Sequence, residues 1–154
     1  MNEEEPHYLL DSNIVSEIIK RDADFNVIKK LAEHSSDCAI CAPVWEELMF
    51  GLKILPQGMN RKRLEDFLIN DVHENFLVKN YTEKAALIHA ELRAALKKKG
   101  RPTQKTDSLI ASIALANHMV LVTRNTRHFT AIQEVSGLQV ENWFEGAAPQ
   151  KAQS

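Results

Sequence analysis

Asp11, Glu47 and Asp107 each stand near a point where the chain passes from one kind of segment to another. In "HYLLDSN" an apolar run leads directly into Asp11, with polar Ser12 and Asn13 behind it. One role for such an aspartate is to cap the helix that follows, from about Ile14 to Lys20, by accepting its first amides; Ser12 is an equal candidate for that work. A second role opens if other carboxylates reach the same place. Three carboxylates within a few ångströms repel one another and tend to protonate, unless a divalent cation holds them. All-oxygen donors suit Mg2+ or Mn2+, which keep several waters and bridge to phosphate oxygens. Such an ion activates a bound water and stabilises charge on a leaving oxygen, as phosphodiester hydrolysis requires.

The spacing around the other two acids decides whether they can join Asp11. "CAPVWEELMFGL" reads as a helix with Pro43 as its first residue. At about 100° per residue, Val44, Leu48, Leu52 and Leu55 fall on one face. Glu46 then lies opposite that face, while Glu47 lies about a quarter-turn from its centre. Glu46 is the solvent residue, and Glu47 is able to skirt the core. Both remain readable as surface acids favoured by a helix N-terminus. Gly51, one turn on, would clear space beside Glu47. In "PTQKTDSLIASIAL", Thr106 is a good N-cap, and Asp107 shares a face with Ile110, Ala111 and Ala114. A carboxylate turned inward is costly without a cation.

A basic strip lies around Asp107. From Arg93 to Arg127 there are eight Lys or Arg and a single acid, Asp107 itself, in a chain whose net charge is −2. A solvated helix tail accounts for Lys97 to Lys99, but an acid isolated in a basic field points to a polyanion. Other motifs carry less. "CAIC" has C-x-x-C spacing, but a strand would turn its thiols to opposite faces. The six histidines lack ligand spacing, and only His128 falls near the candidate crevice. No P-loop or dinucleotide-binding glycine pattern occurs. The 44% apolar and 26% charged composition is that of a globular domain. No apolar run reaches the ~20 residues of a membrane span, and "MNEEEPHY" is acidic where an export signal is basic. A single domain over residues 8–145, loose termini at 1–7 and 146–154, and a cytoplasmic location are the expectations.

The elements that must position these groups alternate in period. "YLLD", "DCAICA", "NFLVKN" (75–80), "HMVLVTR" (118–124) and "LQVENW" (138–143) read as strands, the fourth buried on both faces. Between them lie helical patterns. "DFNVIKKLAEHS" has Phe25, Ile28, Leu31 and Ala32 at helical spacing, and "RKRLEDFLIND" spaces Leu64, Phe67 and Leu68 likewise. Thr82 opens a long helix with a stripe of Ala85, Ile88, Leu92 and Leu96, ended by Gly100 and Pro102. "TDSLIASIALAN" is apolar nearly all round. The expected architecture is α/β, a mainly parallel sheet of about five strands flanked by helices on both faces. Ligands of such sheets bind outside the carboxyl ends of the strands, where Asp11, Thr123, Arg124 and Asn125 fall.

"LLDSNIVSEII", "WEELMFGL", "LRAALKKKGRPTQKTDSLIASIAL" and "LVTRNTRHF" together resemble the landmark segments of PIN-domain ribonucleases. The likeness is closest to the VapC-type toxins of bacterial toxin–antitoxin pairs, and it runs from about Tyr8 to Phe144. The resemblance implies a metal-dependent endoribonuclease acting on cellular RNA, tRNA included, with Mg2+ or Mn2+ as cofactor. By position it implies metal ligands at Asp11, Glu47 and Asp107, with Glu47 in the family's E-L-x-x-G signature. It adds Asn125 to the catalytic set, where many PIN domains carry Asp. A neutral amide there puts a second metal site in question. Ser12 matches a hydroxyl that often follows the first acid, and Arg101, Lys105, Arg124 and Arg127 suit phosphate contacts. The implied partners are RNA and a small VapB-like antitoxin, with Met49 and Phe50 outside the core face as a docking surface. A homodimer is a competing use of that surface. The alternative is a degenerate PIN fold that only binds RNA or protein.

Overall fold

A computed structural model describes residues 5–144 of the chain. The first half runs through β1 (Tyr8–Leu10), α1 (Ser12–Ile18), α2 (Phe25–Glu33), β2 (Cys38–Cys41) and α3 (Ala42–Lys53). It continues through α4 (Met59–Asp66), a π-helical turn (Phe67–Val72), α5 (His73–Asn75) and β3 (Leu77–Lys79). The second half holds α6 (Glu83–Lys98), α7 (Lys105–Ala116), β4 (Val120–Val122), a 3-10 turn (Thr126–Phe129), α8 (Thr130–Val135) and β5 (Val140–Glu141). The five strands form one sheet in the order β3-β2-β1-β4-β5, and every pairing is parallel. The expected sheet of about five mainly parallel strands is therefore parallel throughout.

The reason is visible in the strand sequences. "CAIC" and "VLV" are buried at every residue, which a sheet achieves only with both faces covered. The core gathers Leu9, Leu10, Ile40, Leu121 and Val122 from the strands and Ile14, Val44, Leu52, Leu92 and Ile113 from the helices. Trp143 and Phe144 close it beyond the last strand, 2% and 7% exposed. Because β1 sits centrally and the chain leaves it toward β2 on one side and β4 on the other, the topology reverses between β1 and β4. A crevice opens there, at the carboxyl ends.

Several local expectations shift. The helix expected from Ile14 begins at Ser12, and Ala42 rather than Pro43 opens α3, which ends at Lys53, before Leu55. α7 begins at Lys105 with Gln104 as its N-cap, so Thr106 is a helical residue, and Asp107 is the third. In α2 the fully buried residue is Val27; Phe25 is 70% exposed and Ile28 39%. The apolar stripe of that helix is thus rotated off the core. Asp24 sets its start by accepting from the amides of Asn26 and Val27, and the Asn26 side chain donates to the Trp143 carbonyl. At the amino terminus Pro6 is buried, and the His7 amide donates to Asp37. The expected domain end at 145 and the tail 146–154 lie outside the described residues, as do residues 1–4.

Candidate active site

The crevice is built outward from Asp11. Leu10 of β1 is in register with Val122 of β4, so the residues that follow, Asp11 and Thr123, emerge side by side. The Asp11 amide donates to the Val122 carbonyl at 2.9 Å. Its side chain does both things the sequence allowed. Oδ1 accepts from the Ser12 amide at 2.8 Å, capping α1, while Oδ2 accepts from the Thr123 hydroxyl at 2.8 Å. Asn13 bridges the same pair: its Nδ2 lies 3.2 Å from Thr123 Oγ1 and 3.4 Å from Asp11 Oδ2, and its Oδ1 accepts from the Arg124 amide. The Asn125 amide donates to Thr123 Oγ1 at 3.1 Å, so the segment 123–125 is tied to the end of β1. Asp11 is 7% exposed and Thr123 is fully buried. A carboxylate that accepts two hydrogen bonds in near-complete burial keeps one orientation.

Asp107 faces this group from the first turn of α7. Its carboxyl is pushed up from the usual carboxylate range, first by burial and then by the charges of Asp11 and Glu47, with His128 pulling the other way. His128 Nδ1 stands 3.7 Å from Asp107 Oδ2. Glu47, exposed on α3, also acts on the thiol of Cys41, together with Asp11. Glu46 does not figure among the charges acting on either group. Asp11, Glu47 and Asp107 therefore share one electrostatic neighbourhood, on the side of α3 that helical geometry assigned to Glu47. Gly51 borders open space: a methyl group there would meet nothing within 4 Å.

The donors suit a hard divalent cation: carboxylates from three elements, with a neutral amide residue, Asn125, at the fourth position. Among the described residues, no three His, Cys, Asp or Glu side chains stand close enough to chelate one ion. The two observations agree physically, since like charges that raise one another's proton affinity also hold one another apart. The cysteines are not rival ligands. Cys38 and Cys41 are free and buried, and burial pushes both thiols up to about 12.

The basic residues divide. Arg124 lays its guanidinium over the Phe144 ring at 4.4 Å, and Arg127 is exposed in the turn that carries His128. Arg101 is paired with Glu134 at 2.7 Å and, with Lys105, borders a separate cavity between α6 and α7. That cavity rests on a hydrogen-bonded chain. The Ser108 hydroxyl donates to the Lys105 carbonyl at 3.0 Å, so His89 Nε2 must be the donor in its 2.8 Å contact with Ser108 Oγ. His89 Nδ1 is then free to accept from the Tyr81 hydroxyl at 3.1 Å. Burial, with Arg93 and Lys105 nearby, holds His89 below its ordinary value, consistent with this neutral tautomer. The chain pins α6 to the turn carrying Asp107.

Thr123, Asn13 and the His89–Ser108 pair are the participants that sequence reasoning passed over. A threonine ending an otherwise apolar strand was the available signal for the first. The other two depend on pairings that no local pattern encodes.

Comparison with known proteins follows the same outline. The PIN domain family model matches residues 8–135. Ribonuclease VapC2 of Rickettsia felis is 32% identical over 139 residues, covering 88% of this chain and 97% of that protein. The tRNA(fMet)-specific endonuclease VapC of Salmonella typhimurium is 28% identical, covering 88% and 97%. Among solved structures, VapBC2 from Rickettsia felis bound to a promoter DNA fragment superposes with a TM-score of 0.72 at 27% identity, over 88% of this chain and 98% of the matched one.

Proposed function

The chain belongs to the PIN-domain family, and on that premise we propose that it is a divalent-metal-dependent endoribonuclease, the toxin of a toxin–antitoxin pair. The observation that carries the reading is the raised carboxyl of Asp107, pushed up by Asp11 and Glu47 across a crevice at the reversal point of a parallel sheet. A group so placed calls for a cation. Asp11, Glu47 and Asp107 would hold Mg2+ or Mn2+, with Asn125 a neutral neighbour in the same catalytic set. The bound ion supplies an activated water and stabilises charge on the leaving oxygen.

The remaining work falls to the chain's own residues. Thr123 and the Ser12 amide fix the Asp11 carboxylate; the Ser12 hydroxyl lies beside it at the crevice edge. Arg124, Arg127, Arg101 and Lys105 would attract and align the phosphate backbone. RNA is the proposed substrate, and the activity named for the Salmonella relative makes tRNA the first to test. A small antitoxin is the proposed partner. Among the described residues, Phe50 is 61% exposed on α3 and Met49 beside it is half-buried, an apolar surface of the kind protein interfaces use. A second copy of the chain is the competing occupant. No helix among the described residues is long and apolar enough to cross a membrane, in keeping with the proposed cytoplasmic site of action.

The deciding experiment incubates the purified protein with tRNA and total RNA in Mg2+, in Mn2+ and in excess EDTA, beside the Asp107→Asn variant. Discrete fragments only for the wild type with metal are expected. Undiminished cutting in EDTA, or by Asp107→Asn, overturns the mechanism.

A further inference from the structure

The cavity between the C-terminal half of α6 and the start of α7 encloses about 530 Å³, within the ordinary range for small-ligand pockets. Its rim carries Arg93, Lys97, Arg101 and Lys105, and among the described residues no acid lines it. Arg101 is answered by Glu134, which leaves Arg93, Lys97 and Lys105 as exposed cations around one opening. The wall between them is apolar, from Ala94, Leu96 and Pro102.

Local structure makes the cavity a fixed shape. α6 ends in a left-handed Gly100 (φ 64°), whose amide returns to Lys97, while the Arg101 amide returns to Leu96. This turn reverses the chain and brings Lys105 back alongside Arg93 and Lys97. Beneath, Ser108 borders the cavity while bonded to His89 and to the Lys105 carbonyl, so the first turn of α7 cannot slide along α6. The same turn carries Asp107, two residues beyond Lys105.

A cationic rim alone would serve any anion. Cations around an apolar wall fit something with both a phosphate and a flat, weakly polar body. We propose that this cavity seats one nucleotide of the RNA strand, its phosphate among Arg93, Lys97 and Lys105 and its base against Ala94, Leu96 and Pro102. The inference rests on the ribonuclease reading and deepens it. A strand held here and at the carboxylates is fixed at two points joined by one helical turn. The nucleotide that fits the cavity then selects the bond presented to Asp107. Cleavage preference is set here, away from the acids.

The test measures binding of a short labelled oligoribonucleotide to the full chain in EDTA, across a salt series. Arg93→Ala/Lys97→Ala is compared with Lys29→Ala/Lys53→Ala, which removes equal charge from α2 and α3, and each variant is first checked for a wild-type melting temperature. The cavity pair should weaken binding about tenfold and flatten the salt dependence by up to ~0.7 per lost contact, while the control pair changes little. Ala94→Trp fills the cavity without altering charge. It should weaken binding at unchanged salt slope and shift the sequence found at the cut. Equal loss in the two double variants, or an inert Ala94→Trp, overturns the cavity and leaves the ribonuclease reading standing. Competition by inorganic phosphate or a mononucleotide as strong as by the oligonucleotide would also overturn it, making this a general anion site. A wild type that binds no RNA at all overturns both readings.

Discussion

The Thr123 hydroxyl donates to Asp11 Oδ2 at 2.8 Å, linking residues 112 positions apart at the carboxyl ends of the two central strands. Asp11 is thereby held by the sheet itself as well as by the helix it caps. Replacing Thr123 by Val keeps the shape and removes the donor. Cleavage should fall by roughly 10–100-fold, the usual cost of removing an outer-shell partner from a metal ligand. Thr123→Ser, which keeps the hydroxyl, should recover most of it. Equal activity in the Val and Ser variants would show that the hydroxyl does not orient Asp11.

Asp107 offers a stability measurement independent of activity. Its folded-state pKa is raised, so the native state favours the protonated acid. Stability in metal-free buffer should decline as pH rises from the unfolded value, 3.8, through the folded value. Asp107→Asn should remove that decline and melt higher than wild type at neutral pH in EDTA, while losing cleavage. Asp11→Asn should likewise abolish cleavage, with the cap preserved because Asn caps helices as Asp does. A destabilised Asp107→Asn would contradict the electrostatic account.

The neighbouring glutamates on α3 give a ranking. Glu47 acts on Asp107 and Cys41. Glu47→Gln should reduce the cleavage rate by orders of magnitude, about 10²-fold or more, and Glu46→Gln should leave it near wild type. Paired single-turnover assays would reveal the opposite order if the helix were turned otherwise.

His89 predicts an acid-side loss of stability. Its folded pKa lies below 6.5, so the unfolded chain binds the proton first as pH falls. Its contribution is intact above 6.5 and is lost progressively as pH drops from there toward the folded value. His89→Gln removes the titration and should flatten this part of the stability curve. An identical pH profile in the variant would assign the loss to other groups.

Phe50 and Met49 test the partner surface. Phe50→Glu and Met49→Lys should break co-purification with a small partner, or shift the oligomer, while Mg2+-dependent cleavage by the freed protein persists. Co-purification that survives both changes would place the contact elsewhere.

Much of this molecule was legible along the chain. The fully apolar "VLV" and "CAIC" runs dictate strands buried on both faces and so a parallel sheet, because only helices packed on each side can cover them. Thr82 and Gly100 bound α6 through a hydrogen-bonding side chain and a left-handed backbone, both local effects. The quarter-turn between Glu47 and the face of Val44, Leu48 and Leu52 follows from helical repeat alone. Tertiary structure decided the rest. The strand order put Asp11 beside Thr123 rather than beside another strand end, and no periodicity encodes which strands are neighbours. Val27 instead of Phe25 faces the core because the angle at which α2 docks, set by Asp24 and by Asn26 on Trp143, overrides a stripe that two rotations of the helix satisfy almost equally. His89 reads as a polar residue on α6, yet its burial follows from Tyr81 and Ser108 closing on its two ring nitrogens. Sequence fixes which groups stand at element ends, because capping and periodicity act over a few residues. Whether those groups meet depends on contacts a hundred residues apart, which exist only once the sheet has formed.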